Sequence, residues 1–297
     1  MNARFRVPFG LVALVLAACA SSTERAGFDD KQPEAEKPGE QQPPPGDFGK
    51  EKPPPSETPA EINEVFGHSK DTLYRLDPVT KAVTTVGTFK NCASIIDIAL
   101  DEKSALYGVS YEILYQIDKT TATCTEIAKG DYPNSLSFVP KGTLDPNEEA
   151  LVGYVGGDYY RIDVSTGART KVGALGGNLI SSGDIVSVKG DAKNEGRTYL
   201  TVKGGTKCNQ KDCLVEVDPA TGKMKKDWGS VEHEEVFGLS FWAGKIYGFS
   251  NKGDLFEVTF GTSQLATTPI AIPQKPTGLS FWGAGSTTSA PVVEDPQ

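Results

Sequence analysis

The chain has 297 residues, 38% of them hydrophobic, with 39 acidic and 30 basic side chains and a formal net charge of −9. That is ample apolar material for a core, and no basic stripe interrupts the acidic balance. Nucleic acid is thereby excluded as a partner, because phosphate contact needs clustered Lys and Arg.

Arg4 and Arg6 form a positive leader, and Val7 to Ala18 is a short apolar run broken only by Pro8 and Gly10. A bilayer-spanning helix needs about 20 apolar residues, so this run reads as an export signal over residues 1–18. It ends in Leu16-Ala17-Ala18-Cys19. That sequence resembles the lipobox of bacterial lipoproteins, which implies that Cys19 is lipidated and becomes the new N-terminus. Ala20 stands where an Asp would direct inner-membrane retention, so the resemblance implies a cell-envelope protein anchored by its N-terminal lipid, in the outer membrane. Which side of that membrane the protein faces stays open.

From Cys19 to about residue 60 the composition changes. Prolines 33, 38, 43–45, 53–55 and 59 fall among Glu, Lys, Gln and Gly, with almost no large apolar side chains. Such a segment cannot bury enough surface to offset its ordering entropy. Its prolines favour extended polyproline II at about 3.1 Å per residue, so residues 19–60 read as a disordered tether. The folded part is expected over 61–283, with 284–297 a frayed tail.

The folded part repeats itself. Leu73-Tyr-Arg-Leu-Asp77-Pro-Val-Thr80, Leu114-Tyr-Gln-Ile-Asp118-Lys-Thr-Thr121, Tyr159-Tyr-Arg-Ile-Asp163-Val-Ser-Thr166 and Leu214-Val-Glu-Val-Asp218-Pro-Ala-Thr221 share one signature, with a degenerate fifth copy at Leu255–Thr259. Alternating apolar residues give a half-buried strand, and Asp-x-x-Thr gives a turn into a second strand such as Ala82–Val86. Two further strands precede each unit. One is Val65–Ser69, Leu106–Ser110 and their copies. Before it comes Ile95–Leu100, Ser135–Val139, Asp184–Val188 or Gly238–Trp242. Four short strands every 40 to 55 residues or so is the pattern of a propeller blade. Gly278-Leu-Ser-Phe-Trp282 repeats Gly238–Trp242 letter for letter but has no blade after it, whereas the Val65 unit lacks that strand. Ring closure resolves both, and an all-β, five-bladed β-propeller is expected; a six-bladed ring is the alternative. The units resemble extracytoplasmic bacterial propellers with Leu-Tyr-x-Ile-Asp-Pro-x-Thr-Gly repeats, a resemblance that implies a fold and no particular reaction.

Beyond Cys19 there are four cysteines, an even number that suggests disulfides in an exported chain. Cys208 and Cys213 can close a tight loop. Cys92 and Cys124 then pair by elimination and must reach across the second blade. The spacing is not that of a zinc site.

Chemistry-bearing motifs are scarce. His68 stands where the other blades carry Val109, Tyr154, Val202 and Phe249, and reads as a packed histidine. His233, within Glu232-His-Glu-Glu235, reads as part of a solvated charged connection. Asp77, Asp118, Asp163 and Asp218 read as turn formers. Asp218-Pro-Ala-Thr-Gly-Lys223 with Trp228 is similar to the blade motif of quinoprotein dehydrogenases, but the tryptophan and the expected alanine are misplaced. Val236–Tyr247 is faintly similar to propeller-type glutaminyl cyclases, but Leu239 stands where those have an acid. No cofactor and no metal site is expected, and no catalytic residue is assigned.

Propellers bind at the ends of their central channel. One face gathers the connections between blades, with Asn134, Ser135, Ser181, Ser182, Asp184, Trp228 to Glu235 and Lys275 to Thr277. The loops between second and third strands add Tyr111, Asp158, the Cys208–Cys213 loop and Asn251. Asn134, Ser135, Ser182, Asp184, Trp228, His233 and Thr277 are the ligand-binding candidates. A rigid polar rim with Tyr and Trp suits a protein, peptide or glycan partner. The leading expectation is an anchored binding or scaffolding module. The alternatives are a hydrolase, lyase or cyclase using a divalent cation in the channel, and a purely structural surface lipoprotein.

Overall fold

The computed structural model describes residues 64–190 and 195–292. The leader, Cys19, the tether and residues 293–297 lie outside them.

In chain order the strands are β1 (Val65–His68), β2 (Thr72–Leu76), β3 (Val83–Thr88), β4 (Asp97–Leu100), β5 (Leu106–Val109), β6 (Ile113–Asp118) and β7 (Thr123–Lys129). There follow β8 (Ser137–Val139), β9 (Ala150–Val155), β10 (Asp158–Ile162), β11 (Arg169–Ala174), β12 (Ile180–Val188), β13 (Arg197–Lys203), β14 (Cys213–Val217) and β15 (Met224–Ser230). The last are β16 (Val236–Trp242), β17 (Lys245–Ser250), β18 (Leu255–Phe260), β19 (Leu265–Ile270) and β20 (Gly283–Ser286). They form five four-stranded antiparallel sheets, ordered β20-β1-β2-β3, β4 to β7, β8 to β11, β12 to β15 and β16 to β19. The protein is a five-bladed β-propeller.

The period-2 alternation of each strand sends neighbouring residues into different cores. Phe66 and Leu73 pack towards the second blade, while Val65 and Tyr74 pack towards the fifth. Five apolar clusters result, one at each blade junction. Every blade therefore shares its apolar faces with its neighbours, and the junction of the fifth with the first is complete only when the ring closes.

The Asp-x-x-Thr units are turns, as their chemistry requires. The Asp77 carboxylate accepts the N–H groups of Val79 (2.8 Å) and Thr80 (3.0 Å), and Asp118, Asp163 and Asp218 repeat the arrangement. These bonds favour the charged form and hold Asp118 and Asp163 down to about 2. The fifth residue of each turn donates its N–H back to the Asp carbonyl and has positive φ: Lys81, Ala122, Gly167 and Gly222. The turns also bond to the preceding blade, as at Lys81, whose Nζ donates to Tyr247 OH in the fifth. Tyr154 and Tyr159 of the third blade donate their hydroxyls to the carbonyls of Gly222 (2.6 Å) and Pro219 (2.9 Å) in the fourth.

Ring closure occurs, but not through the expected strand. The inner strand of the first blade is β20, with Gly283 opposite His68 and Ser286 opposite Val65. Gly278–Trp282 is the approach to it: Leu279 N–H closes a turn on Pro276, Phe281 N–H donates to Ser250 O, and Trp282 N–H donates to His68 O. The letter-for-letter match with Gly238–Trp242 is out of step with the register by five residues. Steric demand sets that register. A Cβ on residue 283 would lie 2.3 Å from Asp97 Oδ1 and 2.6 Å from His68 Nε2, so only Gly fits there.

The frayed tail is corrected by the same strand. Residues 284–286 are buried in β20, and Thr287, Thr288 and Ala290 are buried beyond it. Thr287 N–H donates to Glu64 O, and Thr288 O accepts the N–H of Lys189. Thr288 Oγ1 donates to the carboxylate of Glu149, whose burial raises it to about 7. This segment crosses the ring at the lower ends of the inner strands. Because Val65 pairs with Ser286, the start of β1 and the end of β20 both lie on this lower side.

Both disulfides form, with Cα separations of 5.7 Å for Cys92–Cys124 and 5.1 Å for Cys208–Cys213. The first does not reach across its blade. Residues 89–92, leaving the first blade, run beside the start of β7, where Lys90 N–H donates to Ala122 O and Cys124 N–H to Lys90 O.

Candidate functional site

Inner strands face the ring axis with one edge bare, so their N–H groups need acceptors from elsewhere. This protein supplies them from side chains of adjacent blades. Asp184 Oδ2 accepts the N–H of Leu239 in the fifth blade at 2.6 Å. Ser286 Oγ accepts from Phe241 N–H at 3.0 Å, and Ser137 Oγ from Ser187 N–H at 3.2 Å. Small polar residues in the inner strands are thus stitches between blades.

Two of these stitches are carboxyls that meet. Asp97 and Asp184, at the starts of the inner segments of the second and fourth blades, are fully buried and interact directly. Each accepts the N–H of the following residue, Ile98 at 2.8 Å or Ile185 at 2.6 Å, and the Leu136 backbone of the third blade lies close to both. Burial first, and for Asp97 the neighbouring carboxyl as well, raise both well above the ordinary carboxylate range. Asp97 Oδ2 has no N–H or O–H donor. A proton shared with Asp184 is what makes so close a pair tolerable.

His68 completes the group. Its Nδ1 lies 2.9 Å from Ser69 O, which fixes the proton there and leaves Nε2 a bare acceptor without a partner. Burial lowers it to about 4. Nε2 and Asp97 Oδ1 converge on the Gly283 backbone. His68 is packed, as expected, but it is packed beside the acid pair.

Directly above lies a cavity of about 220 Å³, lined by Ile96, Tyr111, Asn134, Gly183, Phe237, Asn251 and Trp282. Five of these immediately precede the innermost residues Asp97, Ser135, Asp184, Gly238 and Gly283, one from each blade. Tyr111 and Asn251 come from loops between second and third strands. No charged side chain lines it. Among the described residues, three of the four exposed large apolar side chains stand on this same upper face: Tyr111 (62% exposed), Val155 (39%) and Ile180 (51%).

The candidates from sequence divide accordingly. Asn134 lines the cavity, and Ser135 and Asp184 lie beneath it, Ser135 Oγ accepting Tyr154 N–H at 2.8 Å. Ser182 is buried beside Asp212, whose Oδ2 accepts Val236 N–H and ties the Cys208–Cys213 loop to the next connection. Trp228 is buried at a blade junction, its ring 4.6 Å from that of Phe260. His233 stacks on Phe256 with ring centres 4.0 Å apart, and Thr277 is an exposed turn residue. None of these last four lines the cavity. Asp97, Ile96, Phe237 and Trp282 were not among the candidates. The signal for Asp97 was an acid at the first position of an otherwise apolar inner strand, matched by Asp184. Among the described residues no three His, Cys, Asp or Glu side chains are grouped to hold a metal ion, and no helix is long and apolar enough to cross a membrane.

No family model matches the chain, and neither does any curated protein. Among solved structures, it is similar to Kuenenia stuttgartiensis hydrazine synthase, with a TM-score of 0.38 and 13% identity over 69% of this chain and 62% of that one. A nidogen/laminin complex gives 0.47 and 12% over 76% and 98%. A protein from Lactobacillus plantarum gives 0.32 and 17% over 73% and 69%.

Proposed function

We propose that this chain is a lipid-anchored binding module of the cell envelope whose protein partner docks on the upper face and inserts a side chain into the axial cavity. The observation that carries the reading is the convergence of all five blades on one uncharged, aromatic-lined cavity, with Tyr111, Val155 and Ile180 exposed around it. Concave, mostly apolar sites with a few fixed polar groups are the usual form of a recognition pocket, and Trp and Tyr are the usual anchors of an interface. Asn134 and Asn251 supply the polar groups. Glu64 and Thr287, which flank the β1–β20 pair, lie on the lower side, which suits a module tethered through Cys19.

A photocrosslinking residue placed at Tyr111 in cells should give one discrete adduct, absent with the same residue at Val79 on a blade turn. Trp282→Ala should abolish the Tyr111 adduct. Equal labelling from both positions would overturn the docking face. Metabolic labelling with palmitate, lost in Cys19→Ser, tests the anchor.

The catalytic alternative draws on the Asp97–Asp184 pair and His68. Those groups are sealed from solvent, and Asp184 spends both oxygens on backbone N–H groups, which supports a holding role over a reacting one.

A further inference from the structure

We infer that the group received by the axial cavity is a cation: an alkylammonium, such as the end of a lysine side chain on the partner. This rests on the binding-module reading above and names what its pocket selects.

Three observations on separate elements point the same way. The first is the lining. Tyr111, Phe237 and Trp282 put three aromatic rings around a cavity with no Lys or Arg in its wall. Ring faces carry negative potential and hold ammonium groups, most strongly where water is excluded. The second is what lies beneath. Asp97 and Asp184 follow the lining residues Ile96 and Gly183 directly, and among the described residues neither has an ion pair to Lys or Arg. Asp212, also fully buried, has Lys203 at 3.8 Å. The third is a surplus of acceptors. His68 Nε2 is fully buried and without a partner, and it sits against Gly283, the residue after Trp282. Acceptors without donors, walled by apolar surface, focus a field that favours positive charge at the cavity mouth.

The amides of Asn134 and Asn251 offer carbonyl oxygens to the N–H groups of such a ligand. An anionic group would meet the acid pair and the ring faces with nothing to balance it. A neutral group would fit the space but gain nothing from the acids. The selection is by charge, on top of shape.

The test uses the mature full-length chain in detergent with three probes of one size: n-butylammonium, 1-butanol and butyrate. The readout is the indole N–H resonance of Trp282, assigned with Trp282→Phe. The ammonium should shift that resonance and bind at least tenfold tighter than the alcohol, and butyrate should leave it unmoved. Asp97→Asn should cost the ammonium about tenfold and leave the alcohol unchanged. Should that variant fail to fold, Tyr111→Leu, at an exposed position, removes one ring and should weaken the ammonium alone. If the alcohol binds as well as the ammonium, the cation inference falls and the pocket stands. If no probe moves Trp282, the inference also falls, while crosslinking at Tyr111 still decides the docking face.

Discussion

Replacing His68 by Gln tests the chemistry of the ring axis through stability. His68 is neutral when folded, held at about 4 by burial, against an ordinary value of 6.5. Between these values the unfolded chain binds a proton that the folded chain does not, so stability falls as pH drops. The full displacement is worth about 3 kcal/mol at 1.36 kcal/mol per pH unit, of which about 2 kcal/mol is lost between pH 7.5 and pH 5. The Asp97–Asp184 pair shifts the other way and gains stability as pH falls, so the parent curve alone is a sum. It titrates in both proteins, however, and largely cancels in the difference. Gln keeps a donor and an acceptor of similar reach but cannot charge. Urea unfolding of parent and His68→Gln should therefore give stability differences that converge by about 2 kcal/mol between pH 7.5 and pH 5. Parallel curves would show that His68 reaches water, and the sealed axis would be wrong.

Other expectations follow from the frame. Gly222→Ala places a Cβ 2.4 Å from the Tyr159 ring at a φ of +67°, and should cost about 3 kcal/mol in chemical denaturation. The Cys92–Cys124 bridge spans 32 residues and Cys208–Cys213 only 5. Double Ser variants should lose about 4 and about 2 kcal/mol respectively by loop-closure entropy, and the reverse order would show that the short loop is organising more than itself. A chain stopped after Trp282 lacks β20 and bares the edge of β1. It should elute as oligomers or aggregate in gel filtration, and a stable monomer would refute closure by β20.

The blades were legible because they are local. Each Leu-Tyr-x-Ile-Asp run reports its own strand and turn, and the Asp carboxylates bond within three residues of themselves. Closure was legible as a need but not as a location. The run Gly278-Leu-Ser-Phe-Trp282 carries the right letters, yet the register is set by close approach of Gly283 to Asp97 and His68, groups far away in sequence. The site was half legible for the same reason. Membership of a connection could be read, so Asn134 emerged. Distance from the axis could not, so Trp228 and His233, which belong to blade junctions, were grouped with it. The buried tail had no signal at all. Thr287, Thr288 and Ala290 look like any terminal segment until Glu149 and Lys189 are brought beneath the ring.

The pairing of Val65 with Ser286 has a mechanical consequence. Tension applied between the two chain ends pulls at one end of the β1–β20 seam and breaks its bonds in succession, as a zipper opens. A load applied between Val65 and the upper face instead runs lengthwise along β1. It strains the bonds to β2 and β20 together, so the ring is stiffest against a pull along its first strand.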